Sequence, residues 1–238
     1  MSAAAGRAPE RPSAVLFDMD GTLVETEQSW GEALAALAHR HGGEVSPAAR
    51  AATVGTSMPV ALGIVYADLG LPADEARLAA DTAWVLDLMV DLLAADLDWQ
   101  PGARELLAEV RDAGVATALV TTTPRRLADP LIGRMTDDLG AMPFDVTVCG
   151  DEVPALKPDP APYRQAMAVL GVHPAGSVVI EDSPSGAAAG LAAGAAVLGV
   201  PSLQPIPPAP GLVLRDSLAG VGLAGLVGLL AAQEDPAA

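Results

Sequence analysis

The stretch AVLFDMDGTL, residues 14–23, changes from apolar to acidic within a single step of the chain. Its four apolar residues end abruptly at Asp18, which is typical of a buried strand in a parallel sheet. A carboxylate directly after such a run is costly unless it is paired or binds a cation. The stretch therefore predicts a core strand whose carboxyl end carries two functional acids, Asp18 and Asp20.

Strand and helix patterns alternate along most of the remaining chain. Short apolar runs predict further strands at 116–120, 145–149, 177–180 and 196–200. Helical patterns alternate with these strands, at 103–114, 124–135, 158–170 and 184–193. This alternation predicts an α/β fold, a Rossmann-like parallel sheet with helices on both faces. The proline-rich segment 201–211 is expected to be a surface loop.

Residues 27–97 interrupt this alternation with helical patterns and no convincing strand. The clearest helix, 76–97, has apolar residues on one side and acidic residues toward the other: Leu78, Val85, Met89 and Leu92 against Asp81, Asp87 and Asp91. We expect a helical cap at 27–97, inserted into an α/β core formed by 13–26 and 98–238. Residues 1–12 have no apolar segment typical of a signal peptide and are expected to form a flexible leader.

Composition and charge exclude several kinds of partner. The formal net charge of −17 argues against binding to nucleic acid or to anionic membranes. The apolar stretch 217–233 is shorter than the roughly 20 residues that span a bilayer, so a buried or docking helix is expected. A single cysteine, Cys149, rules out an intramolecular disulfide and favours a cytoplasmic location. The sequence does not indicate an oligomeric state.

Polar residues follow three of the predicted strands, at 18–22, 121–123 and 181–183. Ligands of open α/β sheets bind beyond the carboxyl ends of the strands, and sets of oxygen ligands suit Mg²⁺. Each segment alone is also explained by turn formers and helix caps. Their occurrence at three strand ends favours a ligand-binding site. Lys157, the only lysine of the chain, can add a positive charge to this site.

Four motifs occur in one order: DMDGTL, Thr121, Lys157-Pro158 and Glu181-Asp182. Together they resemble the haloacid dehalogenase-like hydrolases, most of which are Mg²⁺-dependent phosphatases, and the likeness spans residues 14 to about 200. The helical insert lies where that family carries a C1-type cap. The segments VETEQSW and IEDSPSG resemble the branch of beta-phosphoglucomutase-like proteins and sugar-phosphate phosphatases.

The resemblance implies an aspartyl-phosphate mechanism. Asp18 would be the nucleophile, and Asp20 would protonate the leaving group and then activate water. Thr121 and the amide of Thr122 would hold phosphoryl oxygens, and Lys157 would bridge Asp18 and the substrate. The implied Mg²⁺ ligands are the carboxylates of Asp18 and Asp182, the backbone carbonyl of Asp20, and Glu181 directly or through water.

Three functions remain open at this stage. The first is a phosphatase acting on a small phosphorylated metabolite, with sugar phosphates among the candidates. The second is a phosphomutase, although the cap arginine and histidine of beta-phosphoglucomutase fall on Met58 and Trp30 in an ungapped alignment, which favours hydrolysis. The third is a non-catalytic module that binds a phosphorylated ligand or a partner. Asp20 argues against a dehalogenase, since dehalogenases lack the second aspartate.

Other patterns are better explained by structure than by function. GVGLAG, residues 220–225, matches a dinucleotide motif but does not directly follow a predicted strand. Cys149 is expected to be a buried strand residue, and the histidines show no metal-binding spacing with acidic partners. The cap segment 54–59 and Glu27 are candidates for substrate contact, although helix capping explains both.

Overall fold

The computed structural model describes residues 11–54, 56, 58–95 and 97–234, with side chains up to 231. Its strands are β1 (Ala14–Phe17), β2 (Ala116–Val120), β3 (Val146–Val148), β4 (Ser177–Glu181), β5 (Ala196–Gly199) and β6 (Leu212–Leu214). Within this part of the chain they form one sheet in the order β3-β2-β1-β4-β5-β6, with every pair parallel. The predicted Rossmann-like α/β fold is confirmed.

The register of the sheet explains why the acidic strand ends meet. Phe17, the last residue of β1, pairs with Leu119 of β2 and with Ile180 of β4. β1 is therefore central, and Asp18 leaves the sheet between the ends of its two neighbours. The backbone N–H of Asp18 still donates to the carbonyl of Ile180, at 3.0 Å, so the first acidic residue is held by the sheet.

Four helices occupy the stretch in which a helical cap is predicted: α1 (Glu27–Arg40), α2 (Pro47–Thr53), α3 (Met58–Asp68) and α4 (Glu75–Ala95). The predicted placement of Asp81 toward the polar side of α4 is wrong, because this residue is only 3% exposed. Its Oδ2 atom lies 2.6 Å from His41 Nε2 and accepts from Tyr66 Oη at 2.5 Å. These two partners offset the cost of burying the carboxylate. His41, at the end of α1, thus has the acidic partner that its sequence spacing did not reveal.

The core helices cover both faces of the sheet, as predicted. They are α5 (Ala103–Asp112), α6 (Arg125–Leu139), α7 (Ala161–Leu170), α8 (Pro184–Ala193) and α9 (Leu223–Glu234). One apolar cluster joins Phe17 and its face of the sheet to the cap and to α5, α6 and α9. A second joins Leu16 and the opposite face to α7 and α8. Leu226 and Leu230 of α9 are buried, which fits the expected docking helix. No helix in the described part of the chain is long and apolar enough to cross a membrane.

Several element bounds differ from the prediction. β6 was not predicted, because three half-exposed residues are too few for a readable period. α6 continues through Pro130 to Leu139, whereas the prediction ended it at residue 135. Most of the predicted leader lies outside the described residues. At its end, Arg11 donates to the carbonyl of Ala113, at 2.8 Å.

Candidate active site

Three carboxylates meet at the carboxyl ends of β1 and β4. Asp18, Glu181 and Asp182 are each no more than 8% exposed, and each offers an oxygen within 4.8 Å of the others. Burial raises the pKa of Asp18 well above its ordinary value; the charge of Lys157 opposes this, while Glu181 and Asp182 add to it. The structure therefore brings together three of the four predicted metal-binding residues in a buried, strongly acidic space.

Lys157 lies at the centre of this acidic cluster. Its Nζ atom donates to Asp18 Oδ1 and Glu181 Oε1, both at 2.6 Å, and to the carbonyl of Val120 at 2.8 Å. The side chain is 2% exposed. Burial lowers the pKa of Lys157, but the two carboxylates outweigh burial and raise the pKa above its ordinary value, so the ammonium stays charged. The lone lysine is thus an internal counter-charge for the predicted nucleophile.

Glu181 is the last residue of β4, and its carboxylate lies near the start of α8, where both of its oxygens accept hydrogen bonds. Oε1 accepts from Lys157 and, at 2.8 Å, from Tyr163 Oη. Oε2 accepts from the backbone N–H of Asp182 at 3.1 Å and from the N–H and hydroxyl of Ser183 at 3.2 and 3.0 Å. A Cβ atom at Gly186 would lie 1.7 Å from Oε1. Glycine at this position therefore lets the helix approach the carboxylate.

Asp182 is fixed by two hydroxyls that the sequence analysis did not assign. Ser202 Oγ donates to its Oδ2, and Thr22 Oγ1 lies 3.4 Å from its Oδ1 and 3.2 Å from Asp18 Oδ2. Burial raises the pKa of Asp182 to about 6, an effect that the Ser202 hydrogen bond reduces and the charge of Glu181 increases. Gly21, at φ +79°, leaves room for the Asp182 carboxylate, since a Cβ would lie 2.3 Å from Oδ2.

The Asp20 side chain contacts threonine hydroxyls rather than the buried acidic cluster of Asp18, Glu181 and Asp182. Thr26 Oγ1 donates to its Oδ1 at 2.7 Å, and Thr123 and Thr121 donate to its Oδ2 at 2.7 and 3.3 Å. Thr121 also accepts from the N–H of Thr123, at 3.0 Å. These contacts fix the Asp20 side chain beside the predicted phosphate-binding loop. The role predicted for its backbone carbonyl, and that of the Thr122 amide, stay predictions.

Glu27, a candidate for substrate contact, has a structural partner, and Cys149 is buried as expected. Glu27 pairs with Arg50, whose NH1 lies 2.7 Å from Glu27 Oε1 and whose NH2 donates to the Glu27 carbonyl at 3.0 Å. Burial raises the pKa of the Cys149 thiol to about 12, only partly opposed by Arg125, so it is no thiolate nucleophile near neutral pH.

The GVGLAG segment lines a cavity of about 560 Å³ at the start of α9. Glu109 Oε1 accepts from the N–H of Leu223 there, at 2.9 Å. A carboxylate thus occupies the helix N-terminus where a dinucleotide phosphate would bind. This contact supports the structural interpretation of the motif.

Comparisons with known proteins agree with this geometry. The family model for haloacid dehalogenase-like hydrolases matches residues 12–194. The chain is 34% identical over 187 residues to the validoxylamine A 7'-phosphate phosphatase of Streptomyces hygroscopicus subsp. limoneus, covering 78% of this chain and 84% of that protein. It is 33% identical over 185 residues to the phosphorylated carbohydrates phosphatase of Thermotoga maritima, covering 76% and 81%. The crystal structure of CbbY from Rhodobacter sphaeroides in complex with phosphate matches with a TM-score of 0.75 at 29% identity, covering 90% and 99%.

Proposed function

The chain belongs to the haloacid dehalogenase-like hydrolases, and from that membership we propose a Mg²⁺-dependent phosphatase that hydrolyses a small phosphorylated metabolite through an aspartyl-phosphate. Sugar phosphates are the first class of substrate to test, because one relative is named a phosphorylated carbohydrates phosphatase. The observation that carries the proposal is the direct contact between the Lys157 ammonium and the buried carboxylate of Asp18.

The proposed reaction has two steps. Asp18 attacks phosphorus, the bond from phosphorus to the leaving oxygen breaks, and Asp20 gives that oxygen a proton. Asp20 then takes a proton from water as the water oxygen attacks the same phosphorus, and the bond to Asp18 breaks. Inorganic phosphate leaves, and both aspartates return to their starting state. The threonine hydroxyls around Asp20 support this assignment by holding its carboxylate beside the end of β2.

Lys157 and the predicted phosphate-binding residues complete the proposed site. Lys157 offsets the charge of Asp18, so that an anionic nucleophile can approach an anionic phosphoryl group. Thr121 and the amide of Thr122 would bind phosphoryl oxygens once the substrate is present. For Thr121 this requires its hydroxyl to turn from Asp20 Oδ2, where the contact is long, at 3.3 Å.

The donor set fits Mg²⁺. Three carboxylates and one ammonium leave a formal charge of −2 in a buried space, and every donor is a hard oxygen. We assign the ligands to Asp18, Asp182 and the Asp20 carbonyl, with Glu181 acting through water, because both Glu181 oxygens already accept from other donors. When bound, the ion would offset the negative charge that carboxylate and phosphate share.

We also propose the cap at 27–97, the core at 13–26 and 98–238, and a cytoplasmic location, which the single reduced cysteine supports.

The test of the function is turnover of a panel of sugar phosphates and p-nitrophenyl phosphate with Mg²⁺. Asp18→Asn should abolish turnover while circular dichroism stays unchanged. Retained turnover in that variant would reject the mechanism, and absence of wild-type turnover across the panel would favour a non-catalytic module. A hexose 1-phosphate separates hydrolysis, which releases phosphate, from a mutase, which yields the 6-phosphate.

A further inference from the structure

Tyr163, on the first turn of α7, contacts both Glu181 and Lys157, although no sequence motif singled it out. It is fully buried, and its hydroxyl donates to Glu181 Oε1 at 2.8 Å. Its ring centroid lies 4.9 Å from Lys157 Nζ, within the range of a cation–π contact. One side chain thus supports the carboxylate through its hydroxyl and the ammonium through its ring.

The hydrogen bonds of Lys157 show why this support matters. An ammonium has three N–H donors, and the three acceptors of Lys157 use all of them. To reach a phosphoryl oxygen, Lys157 must turn one N–H away from a present partner. If that partner is Glu181, then Oε1 loses a charged donor inside a closed site, which is costly unless another donor remains.

We propose that Tyr163 is a positioning residue that keeps Glu181 Oε1 paired while Lys157 turns an N–H toward the phosphoryl group of the substrate. The reaction itself rests on the proposed function, whereas the link from Tyr163 through Glu181 to Lys157 does not. No proton or covalent bond changes place at Tyr163. Its removal is therefore expected to affect kcat more than KM.

The chain contains its own matched control. Tyr66 is the only other tyrosine, is 1% exposed, and also donates to a buried carboxylate, that of Asp81 in the cap. Tyr163→Phe and Tyr66→Phe each delete one buried hydroxyl and keep the ring. A purely structural role predicts a similar loss of unfolding free energy and unchanged kinetics in both variants. A positioning role predicts a kinetic defect in Tyr163→Phe alone.

The single lysine supplies a readout that needs neither substrate nor metal. In tag-free protein grown with ¹³C,¹⁵N-lysine, every side-chain lysine signal belongs to Lys157. Tyr163→Phe should shift the Lys157 Cε and Nζ resonances, because Glu181 then depends on the ammonium alone at Oε1. Tyr66→Phe should leave both resonances in place. If Tyr163→Phe does not fold, 3-fluorotyrosine can be incorporated in place of tyrosine in the Tyr66→Phe variant, where Tyr163 is the only tyrosine left. The fluorine perturbs Tyr163 but keeps its hydroxyl, so the shift of the Lys157 resonances remains measurable.

With p-nitrophenyl phosphate, Tyr163→Phe should lower kcat about tenfold and change KM less than about twofold, the size expected for one hydrogen bond to a charged group. Wild-type kcat in this variant would overturn the positioning role, with or without a shifted resonance. Unshifted lysine resonances would overturn the link to Lys157. If the wild-type protein turns over nothing, the proposed function fails and the resonances alone decide the link.

Discussion

Replacement of Lys157 by arginine keeps the positive charge but changes the geometry of its donors. Three acceptors converge on one nitrogen of Lys157, at 2.6, 2.6 and 2.8 Å. The guanidinium spreads its donors over three nitrogens in one plane, so at least one of these bonds is lost. A hydrogen bond to a charged group is worth roughly 1.5–3 kcal/mol. The larger group must also fit where the lysine side chain is 2% exposed, which costs about 1–3 kcal/mol more.

We therefore expect Lys157→Arg to lose about 2.5–6 kcal/mol of unfolding free energy. A displacement of Asp18 by about 1 Å should lower kcat on the order of 100-fold. Urea unfolding measures the first quantity, and initial rates with p-nitrophenyl phosphate measure the second. The matched control is the reverse exchange at the surface, Arg164→Lys, where the exposed guanidinium donates to the carbonyl of Ala192. A folded Lys157→Arg variant within about threefold of wild-type kcat would show that the shape of the cation does not matter for turnover.

Two further predictions concern the support of the carboxylates. Gly186→Ala should cost about 1–3 kcal/mol of unfolding free energy, measured by urea unfolding, and should lower kcat, because the added Cβ meets the fully paired Glu181 carboxylate. The control is Gly133→Ala, which should not destabilise the protein, because nothing lies within 4 Å of the added Cβ. In the metal-free protein, the pKa of Asp182 is raised from 3.8 to about 6, so its stabilising contribution is complete below pH 3.8 and is lost as pH rises through 6. Unfolding free energy should fall by up to about 3 kcal/mol over that window. Urea unfolding at several pH values measures how the unfolding free energy changes with pH. Asp182→Asn should weaken this pH dependence, and an unchanged pH dependence would exclude Asp182 as its cause.

The sequence predicted the sheet and the acidic residues because both depend on local patterns. Short apolar runs ending at Asp18 and Glu181 mark the strands, and parallel pairing then brings their ends together. Lys157 follows β3 in the chain, which also predicts a position at this edge of the sheet. The structure places its ammonium between the carboxylates of those two residues.

The residues that support the acids could not be predicted in the same way. Thr123 contacts Asp20 across 103 positions of the chain, and Ser202 reaches Asp182 from a loop 20 residues away. Such contacts depend on loop conformation, which has no periodic signal. The position of Asp81 was predicted wrongly for a related reason, because its burial depends on Tyr66 of α3 and on His41, which directly follows α1.

Asp18 is expected to carry the phosphoryl group during turnover. Borohydride reduction of acid-quenched enzyme converts an aspartyl-phosphate to homoserine, which peptide mass spectrometry locates in the sequence. Homoserine is expected at position 18, formed only with substrate and Mg²⁺ and absent from Asp18→Asn. Modification at Asp20 or at any other residue, or turnover without any trapped residue, would contradict this expectation.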